Sequence, residues 1–167
     1  MAEEKQYLQD VDGYNEVTKA LMNMIRSYPG LDDDEKVIFN TSDPEDGLTV
    51  FATSGSFIMD DHESVTGHVW QTCLYPFTVI YRASGLNERR KVETQEWMDK
   101  LARWMTRQPV DINNHTEWLS EWPKLTGDRK IRSISRQTPV YLSTEEDSKV
   151  ENWVMQLQIQ YLNEFDR

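Results

Sequence analysis

Apolar residues at helical spacing open the chain. Tyr14, Val17, Leu21, Met24, Ile25 and Tyr28 form one stripe and predict an amphipathic helix over residues 13–28, with Asp12 as its N-cap and Tyr28-Pro29-Gly30 as its stop. An acidic turn, Asp32-Asp33-Asp34-Glu35, follows. The runs KVIFNT (36–41) and LTVFAT (48–53) flank SDPEDG, whose Pro and Gly suit a turn, so the two runs read as a β-hairpin. Residues 54–68 combine Phe57-Ile58-Met59 with DDHES and two glycines and predict a protruding loop or extended hairpin arm. From 69 to 83 the period becomes two, with Cys73, Tyr75, Phe77, Val79 and Tyr81 on one face and Leu74 and Ile80 on the other. Apolar residues on both faces predict a central strand, covered by helices on one side and by a neighbouring copy on the other. Pro76 is expected to mark a bulge or an edge stretch of it.

The period switches back to helical over 88–107, where Val92, Trp97, Leu101, Trp104 and Met105 share a side, Arg103 and Arg107 suit the helix C-terminus, and Pro109 closes the segment. HTEWLSEW (115–122) reads as a short amphipathic turn before Pro123. Residues 130–142 predict a weaker edge strand protected by Arg132, Arg136 and Pro139. Residues 152–162 alternate most cleanly, with Trp153, Met155, Leu157, Ile159 and Tyr161 inward and Gln156, Gln158 and Gln160 outward. No repeat or linker divides the chain. Residues 1–167 read as a single α+β domain, in which residues 1–11 are a disordered N-terminal tail. Its mostly antiparallel sheet has four to six strands, with two main helices packed on one face.

Composition narrows the class. A chain of 167 residues with 38% hydrophobic content, including six Trp, seven Tyr and five Phe, can bury a core without metal or disulfide. The single cysteine, Cys73, excludes an intramolecular disulfide framework and fits a reducing compartment. No apolar run is long enough to span a bilayer, and the polar, acidic start does not read as a secretory signal. The net charge of −11 argues against a DNA-coating role, which needs a basic surface. The charge is also uneven. Residues 1–64 carry 15 acids and 4 bases, residues 65–142 carry 8 acids and 12 bases, and residues 143–167 carry 6 acids and 2 bases. Such polarity suits head-to-tail contacts between copies.

Catalytic chemistry finds little footing. His62 and His68 fall in the predicted loop, where solvated side chains are the simpler reading than metal ligands. Cys73 lies mid-strand among apolar neighbours and reads as a buried filler rather than a nucleophile. The glycines stand apart, so no phosphate cradle is formed. ERRKVE (88–93) places three consecutive bases at a helix start, where an acidic partner or a phosphate would find them. Of the six tryptophans, most read as core anchors and one or two as subunit contacts. No catalytic, cofactor-binding or metal residue is therefore expected, and the chain reads as a non-enzyme.

The long strand CLYPFTVIYRASG running into the helix RRKVETQEWMDKLARWM, after an N-terminal helix, hairpin and arm and before terminal strands, resembles a known layout. It is that of the bacteriophage minor capsid and tail-terminator (tail-completion) proteins of long-tailed phages. The resemblance covers about residues 10–165 and is densest over 73–105; the HTEWLSEWP insertion and the acidic 32–35 turn depart from it. It implies a virion structural protein, assembled in the bacterial host cytoplasm. Such proteins form a homo-oligomeric ring, commonly of six copies, that caps the tail tube and joins it to the head. The implied partners are tail-tube and head-connector proteins, with DNA only in passing through the pore and no membrane. Within that frame, Phe57, Ile58, Asp60 and Asp61 of the arm and Arg89 and Arg90 of the helix start are the expected subunit interface. The alternative is an acidic immunity or antitoxin-like module that masks a basic nuclease toxin by electrostatic steering and aromatic anchors.

Overall fold

A computed structural model describes residues 14–32, 37–39, 47–53, 56–84, 88–125, 129–143 and 150–167. In chain order the elements are α1 (Tyr14–Arg26), β1 (Val37–Phe39), β2 (Gly47–Ala52), β3 (Phe57–Glu63), β4 (His68–Ser84), α2 (Glu88–Met105), β5 (Val110–Ile112), β6 (His115–Glu117), β7 (Lys130–Arg136), β8 (Tyr141–Ser143) and β9 (Val150–Asp166). The expected N-cap Asp12, the 1–11 tail and most of the acidic 32–35 turn lie outside the described residues.

Two 17-residue strands, β4 and β9, form the frame and pair antiparallel without a register break from His68↔Asp166 to Ser84↔Val150. Their odd-numbered residues make the inner face, where Cys73↔Tyr161, Tyr75↔Ile159, Phe77↔Leu157 and Val79↔Met155 lie across from each other, all buried. Each such large side chain contributes about 1.5–3 kcal/mol relative to exposure. Short strands extend the frame in tandem along each side: β2 and β3 on β4, β7 and β8 on β9, with β1 outside β2. This makes seven strands rather than the four to six expected, because the arm pairs as β3 and the 130–142 run gives two strands, β7 and β8. The architecture is the α+β one the pattern predicts, a mostly antiparallel sheet with α1 and α2 on one face.

Both helices cover the inner face. Val17, Leu21, Met24 and Ile25 of α1 and Met98, Leu101, Ala102 and Met105 of α2 are buried against it. Val92, expected on the same stripe, is exposed; Met98 and Ala102 take the core positions instead. Between the helices, the Tyr28 ring stands 5.2 Å from Trp104 and 5.9 Å from Trp97, and Trp97 Nε1 donates to the Gly30 carbonyl at 2.9 Å. A Cβ at position 30 would come within 2.7 Å of the Tyr28 ring, so this turn admits only glycine.

Four expectations are corrected or narrowed. First, β1 and β2 are parallel (Val37↔Leu48, Phe39↔Val50), not a hairpin. Of the SDPEDG connection that suggested a tight turn, residues 42–46 lie outside the described residues and Gly47 begins β2. Second, Pro76 marks no bulge in β4 but lies at a local edge stretch, the other expected alternative: its carbonyl accepts from the Thr53 N–H, so its missing N–H faces the same side, the gap between the end of β2 and the start of β3. Third, residues 115–122 are not a helical turn. His115–Glu117 pairs with Val110–Ile112 in a two-stranded hairpin whose loop, Asn113-Asn114, has φ of 51° and 66°. Asparagine tolerates that left-handed pair, which is the signature of a two-residue hairpin loop. Fourth, the 130–142 strand is split into β7 and β8 by residues 137–140.

On the outer face, Leu74 and Val154 are buried by sheet neighbours: Phe57 lies across from Leu74 and Tyr141 from Val154. Leu74, on the second face of β4, therefore finds cover within the sheet itself, whereas Trp70 on that face is exposed.

Candidate functional site

The expected arm is real, and it is a hairpin rather than a loop. β3 pairs with Val69–Leu74 of β4 through a turn in which the Gly67 N–H donates to the Ser64 carbonyl and the Ser64 N–H to the His68 carbonyl. Gly67 has φ of 87°, the left-handed residue that a three-residue hairpin loop requires. All seven β3 residues are exposed, among them Phe57 at 46%, Ile58 at 46% and Met59 at 55%. A register shift between Ile58 and Asp60 leaves Met59 as a bulge residue. Phe57, Asp60 and His62 lie on the outer face with Trp70; Ile58, Asp61 and Glu63 lie on the inner one. β3 is an edge strand, and its acids Asp60, Asp61 and Glu63 discourage indiscriminate pairing while leaving backbone groups open to a specific one.

The arm is fastened at its base. His68 Nδ1 lies 2.6 Å from Asp166 and Nε2 lies 3.4 Å from Glu164. The Asp166 hydrogen bond, then the Glu164 one, raise the imidazole above its ordinary value. Arg167 reaches Glu63 at 3.1 Å and its N–H donates to the Gly67 carbonyl. On the inner face Tyr161 and Ser56 share a hydroxyl–hydroxyl hydrogen bond. There Asn163 Nδ2 also donates to Gln71 Oε1 at 3.0 Å, while Arg129 donates to both Asn163 and Glu16.

The structure does not bring the two expected halves of the interface together within one chain. Arg89 and Arg90 are exposed at the start of α2, and Arg89 lies 3.2 Å from Glu93 one turn on. Lys91 holds that helix start to Glu151, opposite Ala83, so ten residues of strand, roughly 35 Å, separate it from the arm. A contact between the acidic arm and these arginines is possible only from one copy to another.

Sequence reasoning missed a third feature, a basic groove on the opposite edge. The segment 121–125 lies beside the start of β7, where Lys124 bridges Lys130, and borders an open groove of about 940 Å³. Arg107, with φ of 63°, ends α2 and donates to the Leu119 and Ser120 carbonyls, and its guanidinium stands 5.2 Å from the Trp122 ring centroid. Lys124, Lys130 and Arg132 line the opening, and Leu125, Ile131 and Leu162 form apolar walls. Arg132 is the bulge residue of β7, at the register shift between Ile131 and Ser133. The signal was present: residues 124–136 hold five bases, two of which were read only as edge protection.

Of the tryptophans, Trp97 and Trp122 spend their N–H groups on the Gly30 and Met105 carbonyls, whereas Trp70 and Trp118 are exposed at 39% and 58%. Cys73 is fully buried. Among the described residues no group of three or more His, Cys, Asp and Glu is placed to hold a metal, and no helix is long and apolar enough to cross a membrane. A scan against protein-family models finds no matching family, and a comparison with characterised proteins finds no match.

Proposed function

We propose that this chain is a virion structural protein of the tail-terminator or minor-capsid type, which closes as a ring on the end of a tail tube and joins it to the head. One observation carries the reading: a long two-stranded frame holds an exposed, acidic hairpin at one end and a basic helix start at the other, too far apart to meet within one chain and so both available to other molecules. Exposed edge backbone, half-exposed Phe57, Ile58 and Met59, and surface bases suit a protein that works by fitting surfaces together. In this role the chain makes and breaks no bond. Its acidic residues, where they face a pore, repel the DNA backbone and let it slide.

Assembly is the test. Sedimentation velocity and electron microscopy, with and without purified tail tubes, should show rings of about six copies, seated on tube ends when tubes are present. A protein that stays monomeric and ignores the tubes would overturn the proposal. Tight capture of a basic nuclease by that monomer would favour the immunity reading instead.

A further inference from the structure

We infer that the basic groove at the β7 edge receives the acidic β3–β4 hairpin of a second copy of this chain; this deepens the ring reading above and rests on it. Charge supplies the first argument. Lys124, Lys130 and Arg132 are exposed at the groove and make no ion pair among the described residues, while on the hairpin Asp60, 2.9 Å from His62, and Asp61 are exposed. Arg129, by contrast, is committed to Glu16 and Asn163 and serves as a wall.

Polarity supplies the second. The groove is not purely cationic: Trp122, Leu125 and Leu162 give it apolar walls, and Glu121 and Glu164 sit among its lining residues. A phosphate backbone has no use for the apolar walls, whereas a peptide segment that mixes apolar and acidic side chains uses both the walls and the bases. The hairpin matches both characters, since Phe57, Ile58 and Met59 adjoin Asp60 and Asp61. A groove of about 940 Å³ admits several such side chains.

Topology supplies the third. Across the arm end the strand order is β3-β4-β9-β7, so hairpin and groove occupy opposite edges of one sheet, three strand spacings or about 14 Å apart, and face away from each other. One chain cannot fill its own groove. A neighbour set beside it presents its β3 edge to the β7 edge beyond Lys130, which Lys124 of the same chain already bridges, a contact of unlike surfaces that repeats around an axis and closes when the rotation closes. Each edge carries a bulge residue, Met59 on one and Arg132 on the other, and bulges re-aim side chains out of the regular pleat.

Charge exchange tests the pairing. Asp60→Lys/Asp61→Lys reverses the hairpin and Lys130→Glu/Arg132→Glu reverses the groove, all at exposed positions that leave the core intact. Each double variant alone should self-associate at least about tenfold more weakly than the parent. An equimolar mixture should recover ring formation, because alternating the two variants restores opposite charges at every junction. Parent rings with unaltered rings from both variants would overturn the pairing and leave the ring reading standing, as would weakened variants that the mixture does not rescue. A parent that is monomeric at millimolar concentration, with and without tail tubes, would overturn both. If instead the groove variant loses binding to duplex DNA while its rings persist, the groove serves phosphate and the inference fails.

Discussion

Tyr28 carries a buried hydroxyl with no hydrogen-bond partner among the described residues, and burial pushes its pKa from 10.0 up to about 12. The ring contributes through Trp97 and Trp104, whereas the oxygen contributes only its desolvation cost. Tyr28→Phe should therefore leave stability at neutral pH unchanged or slightly higher. Because the folded-state value is the raised one, Tyr28 favours folding fully below the unfolded value near 10 and less as pH climbs through about 12. Denaturant midpoints measured across the alkaline range should fall less steeply in the phenylalanine variant; an equal fall would rule out Tyr28 as the source. His68 titrates in the same sense at lower pH. Its folded value is raised by Asp166 and then Glu164, so its hold on the β9 end is complete below the unfolded value near 6.5 and is released as pH rises through the folded one. Amide exchange at Asp166 and Arg167, taken relative to its intrinsic base-catalysed rise, should lose protection over that interval, and His68→Gln should abolish that loss.

At the scale of elements, the buried pair Gln71–Asn163 ties β4 to β9 beneath the arm, and Arg129 links it to Glu16 on α1. Asn163→Ala leaves the Gln71 amide without its partner in a buried place and should cost about 1–3 kcal/mol, read from the denaturant midpoint. How far such elements could be read from sequence depended on how local their causes are. The α1 stripe, the inner faces of β4 and β9 and the α2 span follow from side-chain period and were legible to within a few residues. The Asn113-Asn114 loop was equally local, but the tryptophans beside it drew attention to a helical spacing that the backbone does not follow. The parallel pairing of β1 and β2 was not legible, because two β runs around a Pro–Gly segment resemble a hairpin in sequence. Pro76 left bulge and edge stretch both open for a similar reason: what decides between them is the gap beside it, which two distant strands create.

Taken whole, the molecule has an acidic edge and a basic edge at one end and a basic helix start at the other. The arm half of the candidate interface was legible, since Phe57–Glu63 mixes apolar and acidic residues with no period that would bury them. The groove was not: its run of bases is visible in the sequence, but they become one surface only when Lys124 comes beside Lys130 at the β7 edge. The unbroken β4–β9 pairing also governs how the chain is made. Once β4 has left the ribosome, the 65 residues from 85 to 149 must follow before β9 appears. At ordinary elongation rates that delay is roughly 3–13 s. Throughout it, Tyr75, Phe77 and Val79 lack their β9 partners Ile159, Leu157 and Met155, which exposes nascent chains to clumping and gives chaperones a surface to hold.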